Sequence, residues 1–192
     1  MKNFEELRNG ADSPEKLIDS INIFKGRILR LHVDEVELPD GKHSSREIIE
    51  HSGAVVIIPV LDNGNIILVK QYRHAVGKFL LELPAGKIEK DDGALAECAK
   101  RELLEETNYS AESFEKIIEF YSSPGILTEK MHLFIAKGLK PEKHDRCDFD
   151  EFISRAEYSL SEILDMILKN EITDAKTIIG ILFYNNYRVK DN

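Results

Sequence analysis

The sequence predicts an α/β fold in which helices cover a mixed sheet and a small antiparallel sheet comes first. Three observations lead to this prediction. Residues 54–60 form a continuous apolar run, which is typical of a strand buried on both faces. Residues 94–107 consist mainly of Ala, Leu, Glu, Lys and Arg, which favour a helix. Short apolar segments separated by turn residues occupy positions 21–50.

The first 50 residues are predicted to form the small antiparallel sheet. Residues 27–38 carry apolar side chains at near-alternate positions, 39–42 form a turn, and 45–50 return antiparallel. The first dozen residues are expected to be loosely helical or frayed. Such a sheet has little core of its own, so we expect it to pack on another surface, a second subunit being one candidate. We therefore assign 1–50 to an N-terminal strand region and 51–192 to the main domain.

The elements after residue 50 are predicted from turn residues and apolar patterns. The turn at 62–65 leads into a return strand at 66–72, and a third strand at 78–83 ends in the loop Pro84-Ala85-Gly86. Asn108 is expected to end the helix in the left-handed conformation. The remaining predictions are strands at 116–121, 131–136 and 152–157 and helices at 159–168 and 175–187.

Composition excludes several classes of function. The net charge of -9 argues against a nucleic-acid backbone as the main partner. No run of about 18 apolar residues is present, so no membrane span is predicted. The two cysteines fit no disulfide framework or metal motif, and the charged N-terminus lacks the apolar stretch of a signal peptide. A cytoplasmic location is therefore expected.

A group of carboxylates on the predicted helix is the first candidate for chemistry. Glu102, Glu105 and Glu106 share one face, because residues i, i+3 and i+4 of a helix are neighbours. They repel one another unless a hard divalent cation such as Mg²⁺ binds between them. Arg101 could orient one of these carboxylates through a bidentate contact. Ala96, Ala99 and Leu103 lie beside this face and can anchor the helix to the sheet; a solvated acidic face is the alternative interpretation.

Residues 86–109 resemble the Nudix box, G-x5-E-x7-R-E-U-x-E-E-x-G-U, where U is a bulky apolar residue. The half from Arg101 to Tyr109 matches, except that Asn108 replaces glycine and Tyr109 replaces an aliphatic residue. The first half is one residue longer, and the first glutamate is replaced by a residue near Asp92 or Gly93. In the family this glutamate supports the loop, so an altered loop is expected and the metal site is expected to remain.

A wider resemblance, from about residue 20 to 185, is to the family of ADP-ribose pyrophosphatases. It is carried by Val69-Lys70-Gln71-Tyr72-Arg73, Leu81-Glu82-Leu83-Pro84-Ala85-Gly86 and Ser123-Pro124-Gly125, followed by an acid at Glu129. The resemblance implies a Nudix-type α/β/α sandwich that hydrolyses ADP-ribose to AMP and ribose 5-phosphate. It also implies a homodimer with exchanged N-terminal sheets.

The resemblance also implies roles for individual residues. The metal, Mg²⁺ or alternatively Mn²⁺, would be held by the Ala85 carbonyl, Glu102 and Glu106, with Glu105 sharing. Arg73 would face the pyrophosphate or the terminal ribose. Arg46, Glu82 and Glu129 are candidate substrate contacts, Glu129 from the neighbouring subunit, and Phe24 could stack on adenine. For Arg46 a surface position without a functional role is as well supported as substrate contact, and for Phe24 a core position is as well supported as stacking on adenine. For Arg73 and Glu82 the functional interpretation is favoured.

The acidic loop after the last core strand departs from the family pattern. Phe149 stands where the first glutamate of a D-E-x-E-like loop, a common general base, would be. We expect Glu151 to be the general base and a metal ligand, with support from Glu105 and Arg101. Asp150 and Glu105 are the alternatives for the base.

Two other functions stay open. One is hydrolysis of another nucleoside diphosphate derivative, such as a nucleotide sugar, a dinucleotide or a flavin cofactor. The other is binding of ADP-ribose without cleavage.

Overall fold

The structure, a computed structural model, describes residues 14–89, 91–143 and 153–188. Within these residues the chain divides into two compact units. The N-terminal unit comprises the described residues up to His51 together with Ser123–Glu129, and the main unit comprises the rest. The elements are β1 (Lys16–Lys25), β2 (Arg30–Glu37), β3 (His43–Glu50), β4 (Ala54–Pro59), β5 (Ile66–Arg73), β6 (Lys78–Glu82), β7 (Ala85–Lys87), α1 (Leu95–Thr107), β8 (Tyr109–Tyr121), β9 (Lys130–Pro141), β10 (Ser154–Tyr158), α2 (Leu160–Leu168) and α3 (Ala175–Arg188).

The N-terminal unit is a three-stranded antiparallel sheet in the order β1-β2-β3. The predicted turn at 39–42 is confirmed, with the Leu38 N–H donating to the Lys42 carbonyl. The prediction of one strand over 27–38 is wrong at its start. Gly26 instead opens a turn, closed by its N–H donating to the Leu29 carbonyl at 2.9 Å, and a preceding strand, β1, begins at Lys16. All ten residues of β1 are exposed.

The segment Ser123–Glu129 belongs to the same unit and lies along β3. The Ile49 N–H donates to the Ile126 carbonyl at 2.8 Å, and the Thr128 N–H donates to the Ile49 carbonyl at 3.0 Å. These two bonds form a short parallel bridge between Ile49 and Leu127. The segment that contains Glu129 is therefore fixed by main-chain bonds to the N-terminal sheet.

The main unit contains a mixed sheet in the order β7-β4-β9-β8 and an antiparallel sheet in the order β10-β5-β6. Strand β4 runs parallel to β9 and antiparallel to β7. Its side chains are buried on both faces, as predicted. Val55 and Ile57 pack with α1, whereas Val56 and Ile58 belong to a second core that includes residues of β5, α2 and α3. The α/β fold with a mixed sheet and a small N-terminal antiparallel sheet is thus confirmed.

Differences from the predicted elements have local causes. The predicted loop Pro84-Ala85-Gly86 is in part the short strand β7, because Ala85 and Gly86 pair with Val56 and Val55. Strand β8 begins at Tyr109, since its pairing with β9 extends well beyond its apolar end. The three predicted helices are confirmed, and Asn108 ends α1 with φ 54° and ψ 39°. Among the described residues, no helix is long and apolar enough to cross a membrane.

Candidate active site

Helix α1 presents its carboxylates beside the face that packs on the sheet. Cys98, Ala99 and Leu103 are completely buried against Val55 and Ile57 of β4. This packing fixes the rotation of the helix. The arc of the helix next to this buried face carries Glu102, Glu105 and Glu106, as the i, i+3, i+4 spacing predicts. Glu102 is 9% exposed.

Strand β7 lies directly against two of these carboxylates. The Ala85 N–H donates to Glu106 Oε2 at 3.1 Å. A Cβ built on Gly86 would come closer than 3.0 Å to three carboxylate atoms of Glu102, a distance that real Cβ atoms essentially never show. Gly86 is also fixed by its pairing with Val55, so its backbone has little room to withdraw. A larger residue here would therefore have to displace the Glu102 carboxylate, because the main chain approaches that carboxylate closely.

Arg101 connects the acidic residues around the helix. Its Nη1 lies 2.8 Å from Glu102 Oε1 and 2.9 Å from Glu105 Oε2. Its Nε and Nη2 donate to the two carboxylate oxygens of Asp92 at 2.9 and 3.1 Å. Burial alone would lower the pKa of Arg101, but the bond to Asp92 and the charges of Glu102 and Glu105 outweigh it and raise that pKa. A single guanidinium thus orients two helix carboxylates and anchors the preceding loop.

Asp92 is the residue that supports this loop. Besides Arg101, its Oδ2 accepts the N–H of Glu89 at 2.6 Å, which closes a turn within the loop. The hydrogen bond from Arg101 is the main reason that the pKa of Asp92 falls from 3.8 to about 2. Gly93 follows with φ +67°. Of the two positions considered for the missing glutamate, Asp92 makes the supporting contacts.

A second set of charges, the Glu82 cluster, consists of Arg73, Glu82, Lys176 and Asp174. Arg73 donates from Nε and Nη2 to the two oxygens of Glu82, each at 2.8 Å. Lys176 Nζ bonds to the same Glu82 carboxylate and lies 3.1 Å from Asp174 Oδ1. The Glu82 side chain is only 1% exposed. Burial alone would raise the pKa of Glu82, yet the bond from Arg73 and the charge of Lys176 lower it.

The Glu82 cluster lies near the helix carboxylates. The pKa of Arg73 is raised first by its bond to Glu82, and the charges of Glu106 and Asp174 raise it further. The main unit therefore brings together Arg73, Glu82 and the residues of α1 that the sequence predicted. Sequence reasoning missed Lys176 and Asp174 as site residues. A signal was present, because a lysine in the first turn of a helix opposes the helix dipole and needs a local reason.

The predicted residues of the N-terminal unit occupy separate positions on it. Arg46 is bound to Glu15, with Nε donating to Oε2 at 3.0 Å. Phe24 is 56% exposed near the end of β1, which disfavours a core position for it within this unit. Glu129 Oε1 lies 3.4 Å from His51 Nδ1. Their contacts with substrate stay predictions. Glu151, together with Phe149 and Asp150, lies outside the described residues.

The donors on α1 and β7 fit a hard divalent cation. Among the described residues, no three His, Cys, Asp or Glu side chains are already arranged as a metal site. However, the carboxylate of Glu106 accepts the Ala85 N–H, and the carboxylate of Glu102 lies against Gly86, where a Cβ would overlap it. Oxygen atoms of carboxylates and main-chain carbonyls are the ligands that Mg²⁺ prefers. The chemistry of this donor set therefore agrees with the metal site that the sequence predicted.

A glutamate-bearing helix held against a glycine strand of a mixed sheet is the arrangement expected from a Nudix box. Residues 50–179 match the family model described as NUDIX domain. Residues 15–49 match the model described as nucleoside diphosphate sugar hydrolase N-terminal domain. The chain belongs to the Nudix family, and the predictions of this family and of a Nudix enzyme are confirmed.

Curated relatives cover most of the chain. It is 44% identical to a methanol dehydrogenase activator of Bacillus methanolicus and 43% identical to an ADP-ribose pyrophosphatase of Bacillus subtilis, in both cases over 88% of this chain and 91% of the relative. It is 34% identical to a GDP-mannose pyrophosphatase of Yersinia enterocolitica, over 78% of this chain and 84% of that relative. A solved structure described as an ADP compounds hydrolase matches with a TM-score of 0.83 over 94% of this chain and 97% of that chain, at 19% identity. That similarity shows the fold alone.

Proposed function

We propose that this protein hydrolyses the pyrophosphate of ADP-ribose, with release of AMP and ribose 5-phosphate. One observation carries the proposal. The carboxylates of Glu102 and Glu106 lie against β7, in a chain that is 43% identical to an ADP-ribose pyrophosphatase. The full-length similarity favours this substrate, and the site provides the oxygen donors that the reaction needs.

The metal ions are assigned to the carboxylate side of the site. Glu102, Glu106 and the Ala85 carbonyl would hold Mg²⁺, or alternatively Mn²⁺, with Glu105 and Glu151 as further ligands. A divalent cation bound here would neutralise charge on the pyrophosphate and lower the pKa of a water molecule. The chain's own contribution is the orientation of these ligands, since Arg101 restrains both Glu102 and Glu105.

The remaining roles follow from charge and position. Arg73 binds a phosphate or the terminal ribose, and Glu82 holds its guanidinium by two parallel hydrogen bonds. Glu151 takes the proton from the attacking water, with Glu105 in support and Arg101 keeping Glu105 in place. Arg46, Glu82 and Glu129 contact the substrate, Glu129 from the neighbouring subunit, and Phe24 stacks on adenine.

A homodimer with exchanged N-terminal sheets is part of the proposal, as is the division into an N-terminal region, 1–50, and a Nudix domain, 51–192. Support comes from the exposed apolar side chains of the N-terminal unit, which a second copy could cover. They are Leu17, Ile18, Ile21, Ile23, Phe24 and Ile28. Light scattering coupled to gel filtration should give about twice the 21.9 kDa mass of one chain. We place the protein in the cytoplasm, in agreement with the free thiol of Cys98.

The main alternative substrate is another nucleoside diphosphate derivative. A relative named as a GDP-mannose pyrophosphatase and the name of the N-terminal family model both favour a nucleotide sugar. Binding of ADP-ribose without cleavage is the second alternative. The two alternatives differ in what they release, because only a hydrolase forms a nucleoside monophosphate.

A product assay across a panel of substrates tests the proposal. Purified protein is incubated with ADP-ribose, ADP-glucose, GDP-mannose or NADH, with Mg²⁺, Mn²⁺ or EDTA, and the nucleotides are separated by chromatography. We expect AMP from ADP-ribose at the highest kcat/KM, and no product in EDTA. Equal kcat/KM for all four compounds, or a preference for GDP-mannose, would contradict the choice of substrate. Lasting stoichiometric binding of ADP-ribose without product, measured by calorimetry, would contradict the enzymatic role.

A further inference from the structure

Lys176 is a buried cation that the proposed mechanism does not yet use. Its side chain is 10% exposed and it lies in the first turn of α3. Burial of an ammonium group is unfavourable unless it is paired, and the positive end of the helix dipole disfavours a cation there. Lys176 therefore depends on the carboxylates that pair with it, Glu82 and Asp174.

Those contacts lead to Arg73 through Glu82. Lys176 and Arg73 Nη2 bond to the same oxygen, Glu82 Oε2, so that one carboxylate serves two cations. The Arg73 side chain is 39% exposed. Arg73 therefore has one part of its guanidinium fixed to Glu82 and another part accessible to a ligand.

The balance of charge explains why a second cation is needed. Arg73 and Lys176 together match the two carboxylates of the Glu82 cluster, Glu82 and Asp174. Without Lys176 the cluster would carry one net negative charge close to Glu106, whose charge already acts on Arg73. A negative cluster would repel a phosphate at short range, where little water screens the charges.

We propose that Lys176 is a positioning residue for anion binding, which acts through Glu82 so that Arg73 can bind a phosphate of the substrate. The proposal rests on the proposed function and deepens it. It assigns Lys176 and Asp174 to the pyrophosphate end of the site, a role that the sequence alone did not reveal. The group recognised is a phosphate or pyrophosphate.

Three variants separate this role from a purely structural one. Lys176→Met removes the charge and keeps the length of the side chain, and Lys176→Arg keeps the charge. The double variant Lys176→Met/Asp174→Asn restores the balance of charge in the cluster, and Asn still accepts a hydrogen bond at the start of α3. Lys100→Met, at an exposed lysine on α1 that pairs with Glu97, changes the total charge by the same amount and is the matched control.

Two readouts are measured for each variant. One is the Kd of inorganic pyrophosphate with Mg²⁺ by calorimetry, and the other is KM and kcat with ADP-ribose. For Lys176→Met we expect Kd and KM to rise about 10-fold, with kcat within about threefold of the wild type. Lys176→Arg and the double variant should return Kd to within about threefold of the wild-type value, and Lys100→Met should not change it. Raising the salt concentration should weaken binding less in Lys176→Met than in the wild type.

The outcomes distinguish the two proposals. If the wild type releases no AMP from ADP-ribose, the proposed function fails, whereas pyrophosphate binding still tests the role of Lys176. An unchanged Kd in Lys176→Met, or no pyrophosphate binding by the wild type, would overturn the inference. If Lys176→Met does not fold, the double variant decides, because its cluster again pairs every charge. A double variant that melts normally but has lost pyrophosphate binding would equally overturn the charge argument.

Discussion

The ion pair between Asp92 and Arg101 should make a measurable contribution to stability, and Asp92→Asn tests it. In the folded protein the pKa of Asp92 falls from 3.8 to about 2, chiefly because of the hydrogen bond from Arg101. One pKa unit corresponds to about 1.4 kcal/mol, which gives at most about 2.5 kcal/mol. Asp92 is 8% exposed but Arg101 is 32% exposed, so the pair is partly screened by water. We therefore expect Asp92→Asn to lower the free energy of unfolding by about 1–2 kcal/mol at neutral pH.

The effect should depend on pH in one direction. The folded-state pKa of Asp92 lies below its unfolded value, so the unfolded chain binds the proton more readily. The stabilisation is therefore complete above about pH 5 and is lost as the pH falls through 3.8 towards 2. The difference in unfolding free energy between wild type and Asp92→Asn should be constant from about pH 5 to 8 and should decrease below about pH 4.

Urea denaturation followed by circular dichroism, at several pH values, measures both quantities. Glu97→Gln is the matched control, because Glu97 forms an exposed i,i+3 pair with Lys100 on the same helix. That variant should change the unfolding free energy by less than about 0.5 kcal/mol. If Asp92→Asn were no more destabilising than Glu97→Gln at pH 7, Asp92 would not support the loop as we describe.

Three further predictions concern α1 and β7. Gly86→Ala should displace the Glu102 carboxylate and lower kcat about 100-fold. Gly125→Ala is the control, since its Cβ would meet nothing within 4 Å, and it should leave the melting temperature unchanged. Equal kcat for Gly86→Ala and wild type would show that the close contact between Gly86 and Glu102 is unimportant. Glu106→Gln should lower turnover by about two orders of magnitude. It should not lower the melting temperature, because it also removes repulsion between carboxylates. Near-wild-type turnover would exclude Glu106 as a metal ligand. The pKa of Cys98 is raised to about 12, mainly by burial and also by Asp92. In the native protein at pH 8, iodoacetamide should therefore leave Cys98 unmodified, as measured by peptide mass spectrometry. Rapid labelling would contradict the buried position of this thiol.

The carboxylate helix could be predicted from the sequence because its determinants are local. The residues of α1 favour a helix, Asn108 ends it, and the spacing of Glu102, Glu105 and Glu106 fixes their common face. The buried strand β4 could be predicted equally well, since an apolar run of this length indicates burial on both faces.

The Glu82 cluster could not be predicted in full because its partners are distant in sequence. Glu82 and Lys176 are 94 positions apart, and only the docking of α3 brings them together. Strand β7 was missed for a related reason. It has three residues, and its conformation comes from pairing with β4. Such pairing cannot be predicted from the local propensity of the residues. The support given by Asp92 also needed the structure, because the longer loop left two candidate positions.

The position of β4 has a consequence for how the chain reaches its native state. All six residues of β4 are buried, and Ala54 pairs on one side with Lys87 and on the other with Met131. During synthesis, the apolar strand leaves the ribosome long before β9 exists to complete its ladder. Parallel pairing over such a separation forms slowly and leaves apolar edges open to association with other chains. We therefore expect truncated chains that end before β9 to aggregate, and the carboxylate helix to reach its final position only late in folding.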